Sequence, residues 1–406
     1  MRTGERGRDP LDPLVTALVV TYDAEPALLA RCLASLRAQT FPRLEILVVD
    51  NGADPGPLDA IVAACPDIRL VRPGWNLGFA GGVNCGIAAA SGDLVLALNF
   101  DVELEPDCVS QLATVIGGDE GLAGVAPKTV FMHDRHLIDN VGTRIDRQVV
   151  GYHVGIGHLD IGQYDVSEPV FGVCFAAALL RKSVFAPEAA GPLDERYFMY
   201  YEDIDWCYRA NILGWRFRTA PKAVVAHVHS ASVRHLDYSF KHYLLERNLL
   251  HTVVKNLETP RMAWLVVRRS LAQLLRASGR RPYSPAGLRA VADFWREIQR
   301  DGTARAALQR RRHVPDRAVF ALSAGETAHF DPVRVAPRYT LDALEAMYRR
   351  RFAVTGDSRA GEIAASLRTC LARGSRADGE TRSRLVTELL RDEPPFVQDF
   401  VAKVGL

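Results

Sequence analysis

The chain has 406 residues, 48% of them hydrophobic and 24% charged, with a formal net charge of +2. This is an ordinary globular composition on a chain longer than one usual domain, and the near-neutral balance argues against a general affinity for nucleic acid. Seven cysteines, at 32, 65, 85, 108, 174, 207 and 370, form no CxxC pair, which argues against a disulfide framework or structural zinc and for a reducing compartment.

Residues 1–13 are polar, carry charges of both signs and lack the apolar core of a secretory leader, so they are expected to be disordered and the protein cytoplasmic. From Leu14 strand and helix patterns alternate. Strands are expected at Val15–Val20, Leu44–Val49, Ile68–Val71 and Leu94–Leu98, with helices at Pro26–Gln39, Leu58–Ala64 and Ala80–Ala90 between them. Pro26 opens its helix where a missing N–H costs nothing. Alternation at this spacing means a parallel sheet with crossover helices, and strands this apolar fit burial on both faces. From Gly121 to about Ala226 the pattern is less regular, with short strands and a glycine-rich stretch, Gly151–Gly162.

Beyond Asp237 the chain reads as helical. Segments Tyr238–Leu257, Arg261–Ala277 and Pro285–Arg300 have apolar faces; a linker-like stretch, His313–Pro337, precedes helical segments Leu341–Phe352, Ala360–Ala372 and Gly379–Leu390. The expected organisation is a catalytic domain over 14–235, a helical segment over 236–312 packed on that domain or on a membrane surface, and a linker with a helical extension over 313–406. Basic runs at Arg280-Arg281, Arg310–Arg312 and Arg349–Arg351 read as solvated helix faces, with attraction to anionic lipid as the sharper alternative. Arg261–Ala277 mixes Trp264, Leu265, Leu271, Leu274 and Leu275 with Arg261, Arg268, Arg269 and Arg276, a composition suited to an interfacial helix and equally to one packed on the catalytic domain. No uninterrupted apolar stretch reaches the ~18 residues of a spanning helix.

Two acidic elements stand out. Asn99-Phe100-Asp101 ends the apolar run Leu94–Leu98, and Glu202-Asp203 opens an amphipathic segment, Ile204–Leu213. Open α/β sheets bind ligands at the carboxyl ends of their strands. A carboxylate at a strand end and another at a helix start can therefore converge on one crevice, one holding a metal-bound diphosphate and the other removing a proton. Glu and Asp are also favoured in a first helical turn, and Asp205 with Arg209 forms an i,i+4 pair.

The segments Val19-Val20-Thr21-Tyr22, Leu47-Val48-Val49-Asp50-Asn51, Asn76-Leu77-Gly78-Phe79-Ala80-Gly81-Gly82-Val83-Asn84, Asn99-Phe100-Asp101, Phe198–Asp205, and His227 with Ser230 occur in that order. Together they resemble family 2 inverting glycosyltransferases of GT-A fold, of the bacterial rhamnosyltransferase-like kind, over roughly residues 14 to 256. The chain departs from the family pattern in having Phe100 where proline is usual, and one Asp rather than Asp-x-Asp.

The resemblance implies an α/β fold with a GT-A-like, mostly parallel sheet flanked by helices and an α-helical C-terminal extension. It also implies transfer of a sugar, rhamnose favoured, from a dTDP-, UDP- or GDP-linked donor to a glycan or lipid-linked glycan acceptor; peripheral contact at the inner face of the cell membrane is an expectation that rests on Arg261–Ala277. Thr21, Tyr22 and Asp50 would meet the nucleobase; Asn76, Gly78, Asn84, Asn99 and Arg247 would line the rest of the donor site. Asp101 and His227, with His229 as fallback, would hold Mg²⁺ or Mn²⁺ against the diphosphate. Asp203 would be the general base, with Glu202 orienting the acceptor or raising the base's pKa. Two bland readings stay open at this point: the glycines of 78–82 serving tight helix packing, and the aromatics Phe198, Tyr200, Tyr201 and Trp206 forming core rather than a sugar-stacking wall. A non-catalytic nucleotide-sugar-binding or scaffold protein on the same fold is the alternative function.

Overall fold

A computed structural model of the chain describes residues 13–52, 56–63, 65–229, 237–278, 284–323, 341–372, 386 and 389–398. The first half runs β1 (Val15–Thr21), α1 (Pro26–Arg37), β2 (Leu44–Asp50), α2 (Gly56–Ala63), β3 (Ile68–Val71), α3 (Gly78–Ala89), β4 (Leu94–Asn99), β5 (Val102–Leu104) and α4 (Cys108–Gly117). The irregular section supplies β6 (Leu122–Phe131), β7 (Asp134–Asn140), β8 (Thr143–Ile145), β9 (Gly151–His153), β10 (Pro169–Val170), β11 (Ala177–Arg181), α5 (Glu202–Ile212) and β12 (Arg216–His227). Six further helices follow: α6 (Tyr238–Asn256), α7 (Thr259–Ser278), α8 (Ser284–Arg310), α9 (Asp316–Ala321), α10 (Leu341–Thr355) and α11 (Ser358–Ala372).

Ten of these strands form one sheet in the order β10-β12-β6-β11-β4-β1-β2-β3, with β5 on β12 and β7 on β6, and β8 pairs with β9 separately. β3, β2, β1 and β4 are mutually parallel, as the alternation predicts, and β12 is parallel to β6. β11 runs antiparallel between β4 and β6 and joins the two halves. The period-2 pattern of the central strands sorts their side chains onto two cores. Val15, Ala17 and Val19 face one core with Leu29, Leu33 and Leu36 of α1; Leu18 and Val20 face the other with Val83 of α3 and Trp206 of α5. Trp206 is fully buried, stacked on Phe185 at 4.4 Å and edge-on to Phe175 at 5.6 Å, and Tyr201 is buried with it. For these two aromatics core packing is the outcome.

The C-terminal half differs from expectation in three places. Helix α8 continues to Arg310, ten residues past the expected Arg300. The linker-like stretch after His313 contains α9, whose Asp316 is buried and accepts from the Tyr208 hydroxyl (3.1 Å) and the Glu258 amide (2.9 Å). Among the described residues, Arg311, Arg312, Arg350 and Arg351 are ties rather than solvated side chains. Arg311 donates to the Ala189 carbonyl (2.7 Å), Arg312 pairs with Asp316 (3.0 Å), Arg350 donates to the Gln163 carbonyl (3.1 Å) and Arg351 pairs with Glu393 (3.2 Å). Long arginine stems allow this because five donors on one plane reach several carbonyls at once. The α10–α11 pair buries Tyr348, Ile363 and Leu367 against Leu159 and Ile161 of the irregular section. Arg280-Arg281, Ser230 and most of the expected helix Gly379–Leu390 lie outside the described residues.

Candidate active site

The carboxyl ends of β1, β2 and β4 open on one side. Thr21, Asp50 and Asn51 are buried there, while Tyr22 and Trp75 are exposed beside them. Asp50 accepts from the Gly52 amide (2.9 Å) and the Arg72 guanidinium (3.1 Å), and Thr21 donates to the Val49 carbonyl (3.3 Å). Asn76 folds back on the Gly78 amide (2.8 Å), an Asx-type turn that starts α3. Asn84 faces the opposite way: its amide donates to Leu193 (2.9 Å) and Glu195 (3.0 Å), so it holds the segment leading to Glu202.

The glycines of this motif serve packing. A Cβ on Gly82 would sit 2.6 Å from the Asn51 amide nitrogen and 2.7 Å from Val20, so its absence lets α3 lie directly on β1. Gly78 has φ +69°, and a Cβ there would come 2.4 Å from the Phe198 ring; the Phe198 carbonyl also accepts from Ala80 N–H at 3.1 Å. The start of α3 thus rests on the loop that presents Glu202 and Asp203.

That loop is strained. Phe198, Tyr200 and Tyr201 have φ of 63°, 66° and 72°, a region that costs a non-glycine residue about 1–3 kcal/mol. Asn248 of α6 holds it in place: its amide nitrogen lies 3.0, 3.0 and 2.8 Å from the carbonyls of Tyr197, Met199 and Tyr200. Arg247 backs the same loop through the Arg196 carbonyl, the Tyr243 hydroxyl (3.3 Å) and the Asn248 side chain (3.1 Å).

Asp203 emerges half-buried at the start of α5, accepting from the Ile204 amide at 2.7 Å, with the Phe175 amide and the Cys174 thiol near enough to act on its carboxyl. Burial raises its carboxyl from the ordinary range to about 6. Glu202 is pushed up further, by deeper burial and by the Asp203 charge, and its Oε2 has no hydrogen-bond partner. The segment that receives Asp203 leads directly into β11, where the Ala176 carbonyl accepts from Asn99 N–H at 2.9 Å. Asp203 and the Asn99–Asp101 turn therefore flank one strand end.

Asp101 is 1% exposed and neither carboxylate oxygen has a hydrogen-bond partner. His227 at the end of β12, opposite Val102 in the ladder, brings Nε2 to 3.4 Å from Asp101 Oδ1, without the alignment of a hydrogen bond. Asp139 of β7 clamps both imidazoles by Nδ1, at 2.7 Å to His227 and 2.7 Å to His229. A carboxylate on Nδ1 is the arrangement that fixes a metal-binding imidazole and leaves Nε2 free. Burial opposes charge on His227, but Asp101 and Asp139 outweigh it and raise its pKa to about 10; the same contacts hold Asp139 far below the ordinary carboxylate range against burial. His153, at the end of β9, joins the group: one ligand atom each from Asp139, His153 and His229 lies within 4.8 Å of the others. Burial depresses His153 to about 4, so it is neutral, and its Nδ1 has no partner. Orphaned oxygens on Asp101 beside unpartnered imidazole nitrogens fit a divalent cation.

Asp139 and His153 are not among the residues singled out in the sequence. A His-x-His at strand spacing needs an acid partner, but nothing in the pattern of β7 names Asp139. Phe100 is 4% exposed in the core beneath β4, so the family's usual proline is replaced here by a packing side chain.

Residues 16–186 match the family described as glycosyl transferase family 2. Among curated relatives, the chain is 29% identical over 241 residues to an N-acetylglucosaminyl-diphospho-decaprenol L-rhamnosyltransferase of Mycobacterium tuberculosis (strain CDC 1551 / Oshkosh), covering 53% of this chain and 76% of that protein. It is 33% identical over 105 residues to an N-acetylglucosaminyltransferase of Bradyrhizobium sp. (strain ANU 289), covering 25% of this chain and 69% of that one. Among solved structures, GalNAc-T7 with UDP, GalNAc and Mn²⁺ superposes with a TM-score of 0.52 at 13% identity, over 72% of this chain and 57% of that chain, a likeness of fold. The mixed sheet, its flanking helices and these matches make the chain a transferase of GT-A type that belongs to glycosyl transferase family 2.

Proposed function

We propose that the protein is an inverting glycosyltransferase that moves a sugar from a nucleoside diphosphate to a hydroxyl of a glycan or lipid-linked glycan in one displacement. The observation that carries this reading is the pair of carboxylates flanking the end of β4: Asp101 with both oxygens unpartnered, and Asp203 with its pKa raised to about 6. The acceptor oxygen attacks the anomeric carbon as the bond to the diphosphate breaks, and the hydroxyl proton passes to Asp203. A carboxylate of ordinary pKa, ~4, is a weak base; one raised by burial is better matched to an alcohol losing its proton in the transition state. Burial and the Asp203 charge push the Glu202 carboxyl well above the usual range, which favours an O–H offered to the acceptor over a competing charge.

On the donor side, Thr21, Tyr22 and Asp50 line the nucleobase end, and Asn76, Gly78 and Asn99 line the path toward the diphosphate. Asn84 and Arg247 support the loop of Asp203. Asp101 and His227 would hold a divalent cation, Mn²⁺ or Mg²⁺, which when bound neutralises charge on the departing diphosphate. Asp139 orients His227 and His229 for that task. The mixed oxygen and nitrogen donors favour Mn²⁺ over the harder ion. The likeness to the mycobacterial rhamnosyltransferase favours rhamnose as the sugar and a lipid-linked glycan as the acceptor. Membership of a transferase family weighs against the non-catalytic alternative.

Asp203→Asn tests the assignment. Transfer should fall about 10²–10⁴-fold, while the thermal shift produced by nucleoside diphosphate and Mn²⁺ stays as in the parent; retention of most of the turnover overturns Asp203 as base. Activity that survives excess EDTA would exclude a required ion, and a panel of dTDP, UDP and GDP in the same shift assay identifies the donor nucleotide.

A further inference from the structure

Helix α7 is amphipathic, yet much of its apolar surface faces outward. Leu265, Val266, Ser270 and Gln273 are buried against the body, whereas Trp264, Val267, Leu271, Leu274 and Leu275 are 57%, 54%, 52%, 51% and 72% exposed. At 3.6 residues per turn those five project within a single arc of about 100°. The helix contains four arginines and no acid. Arg269 turns inward to Glu246 (3.3 Å), but Arg268 is exposed at the edge of the apolar arc, its guanidinium over the Trp264 ring at 5.1 Å. A second tryptophan flanks the strip: Trp295 of α8 is 48% exposed, and its indole N–H donates to Ser270 of α7 at 3.4 Å.

We propose that this face of α7, with Trp295, docks on an anionic phospholipid bilayer, lying in the plane of the interface. The charge pattern selects that occupant. An acid-free helix with a leucine centre, tryptophans at its margins and arginines beside them meets acyl chains, the headgroup boundary and phosphates in turn. No helix among the described residues is long and apolar enough to cross a membrane. The face also adjoins the site. Arg261 donates to the Arg147 carbonyl and Arg268 to the Gln148 side chain, each at 2.7 Å, and both partners lie in the turn just before β9, which ends at His153. On the reading of the site given above, a membrane-borne acceptor would approach Asp203 along this edge; the docking itself does not depend on that reading.

Flotation of the full-length protein with vesicles tests it. The protein should float with phosphatidylcholine vesicles containing about 30% phosphatidylglycerol and far less with phosphatidylcholine alone. Leu271→Glu with Leu275→Glu should cut the bound fraction about tenfold or more, and Arg268→Gln a few-fold. Melting temperatures should stay unchanged, since these side chains face away from the core. If the double glutamate variant melts early, Leu275→Gln, at the most exposed position of the strip, replaces it. Absence of flotation by the parent, or parent-like flotation of the leucine variants, overturns the proposal. So does a dimer in sedimentation that the leucine variants dissociate while no vesicle binding is seen, which would make the face an interface between two copies.

Discussion

Two clusters of buried charge meet at helix α5 and are wired in opposite ways. On its inner face Asp205 uses both oxygens, taking Asn256 at 2.8 Å on one and Arg209 and Lys255 at 3.0 Å each on the other. Asp194 likewise accepts from Lys255 (2.8 Å) and Arg196 (2.6 Å), and Asp301 from Arg196 (2.8 Å) and His251. One turn away, Glu202 leaves an oxygen unpartnered, and past the end of β4 Asp101 leaves both. The difference follows from what each cluster is for. A buried carboxylate whose oxygens are all matched within the chain ties α5, α6 and α8 together; one left unmatched costs stability and persists where something else is to fill it.

The sharpest way to break that comparison is to unpair the scaffold. Lys255→Met removes the cation shared by Asp194 and Asp205, and should destabilise the protein by about 3–5 kcal/mol in urea unfolding. A loss below about 1 kcal/mol would mean that the network is not what holds the helices.

Acidity separates the two clusters next. Burial puts the Asp203 carboxyl up at about 6, so with Asp203 as the proposed base transfer rates should be flat at neutral pH and fall tenfold per pH unit below that value. In stability the signs oppose. A raised carboxyl binds its proton more tightly in the folded state, so between the unfolded value of about 4 and the folded value of about 6 the Asp203 contribution declines as pH rises. Asp194 and Asp205 are depressed by Lys255 and their arginines despite burial, so their contribution is present above about 4 and lost as pH falls below it. Initial rates and urea midpoints across the same buffers read both.

The smallest effect is expected where the site is emptiest of partners. Asp101→Asn breaks no aligned hydrogen bond but removes the charge 3.4 Å from His227 that helps keep that imidazole protonated, so it should cost about 1–3 kcal/mol, less than Lys255→Met. It should abolish the rise in melting temperature on adding Mn²⁺ that the parent is expected to show. A large destabilisation would place Asp101 with the scaffold instead.

Much of this molecule is legible in its residues. The β1–β4 alternation, the strand-end position of Asp101 and the helix-start position of Asp203 follow from local periodicity and end signals. What periodicity cannot carry is the long-range partner. Asp139 and His153 reach the His227 region only because β7 and β9 return to it, and nothing local distinguishes them from other strand residues. Asn248 looks like one polar residue in a helix, although it answers three carbonyls some fifty positions earlier. The arginine runs mislead for the same reason, since a basic segment looks alike whether it meets water or a set of carbonyl oxygens. The glycines of the α3 motif suit ligand approach and tight packing equally in sequence; the atoms around Gly78 and Gly82 favour packing.

The contact between Gly78 and Phe198 has a mechanical consequence. One bare backbone position joins the first turn of α3 to the segment carrying Asp203, with no side chain to act as a wedge between them. A methyl group added at Gly78 would press on Phe198 and so displace the loop that leads to Asp203 without passing through the sheet.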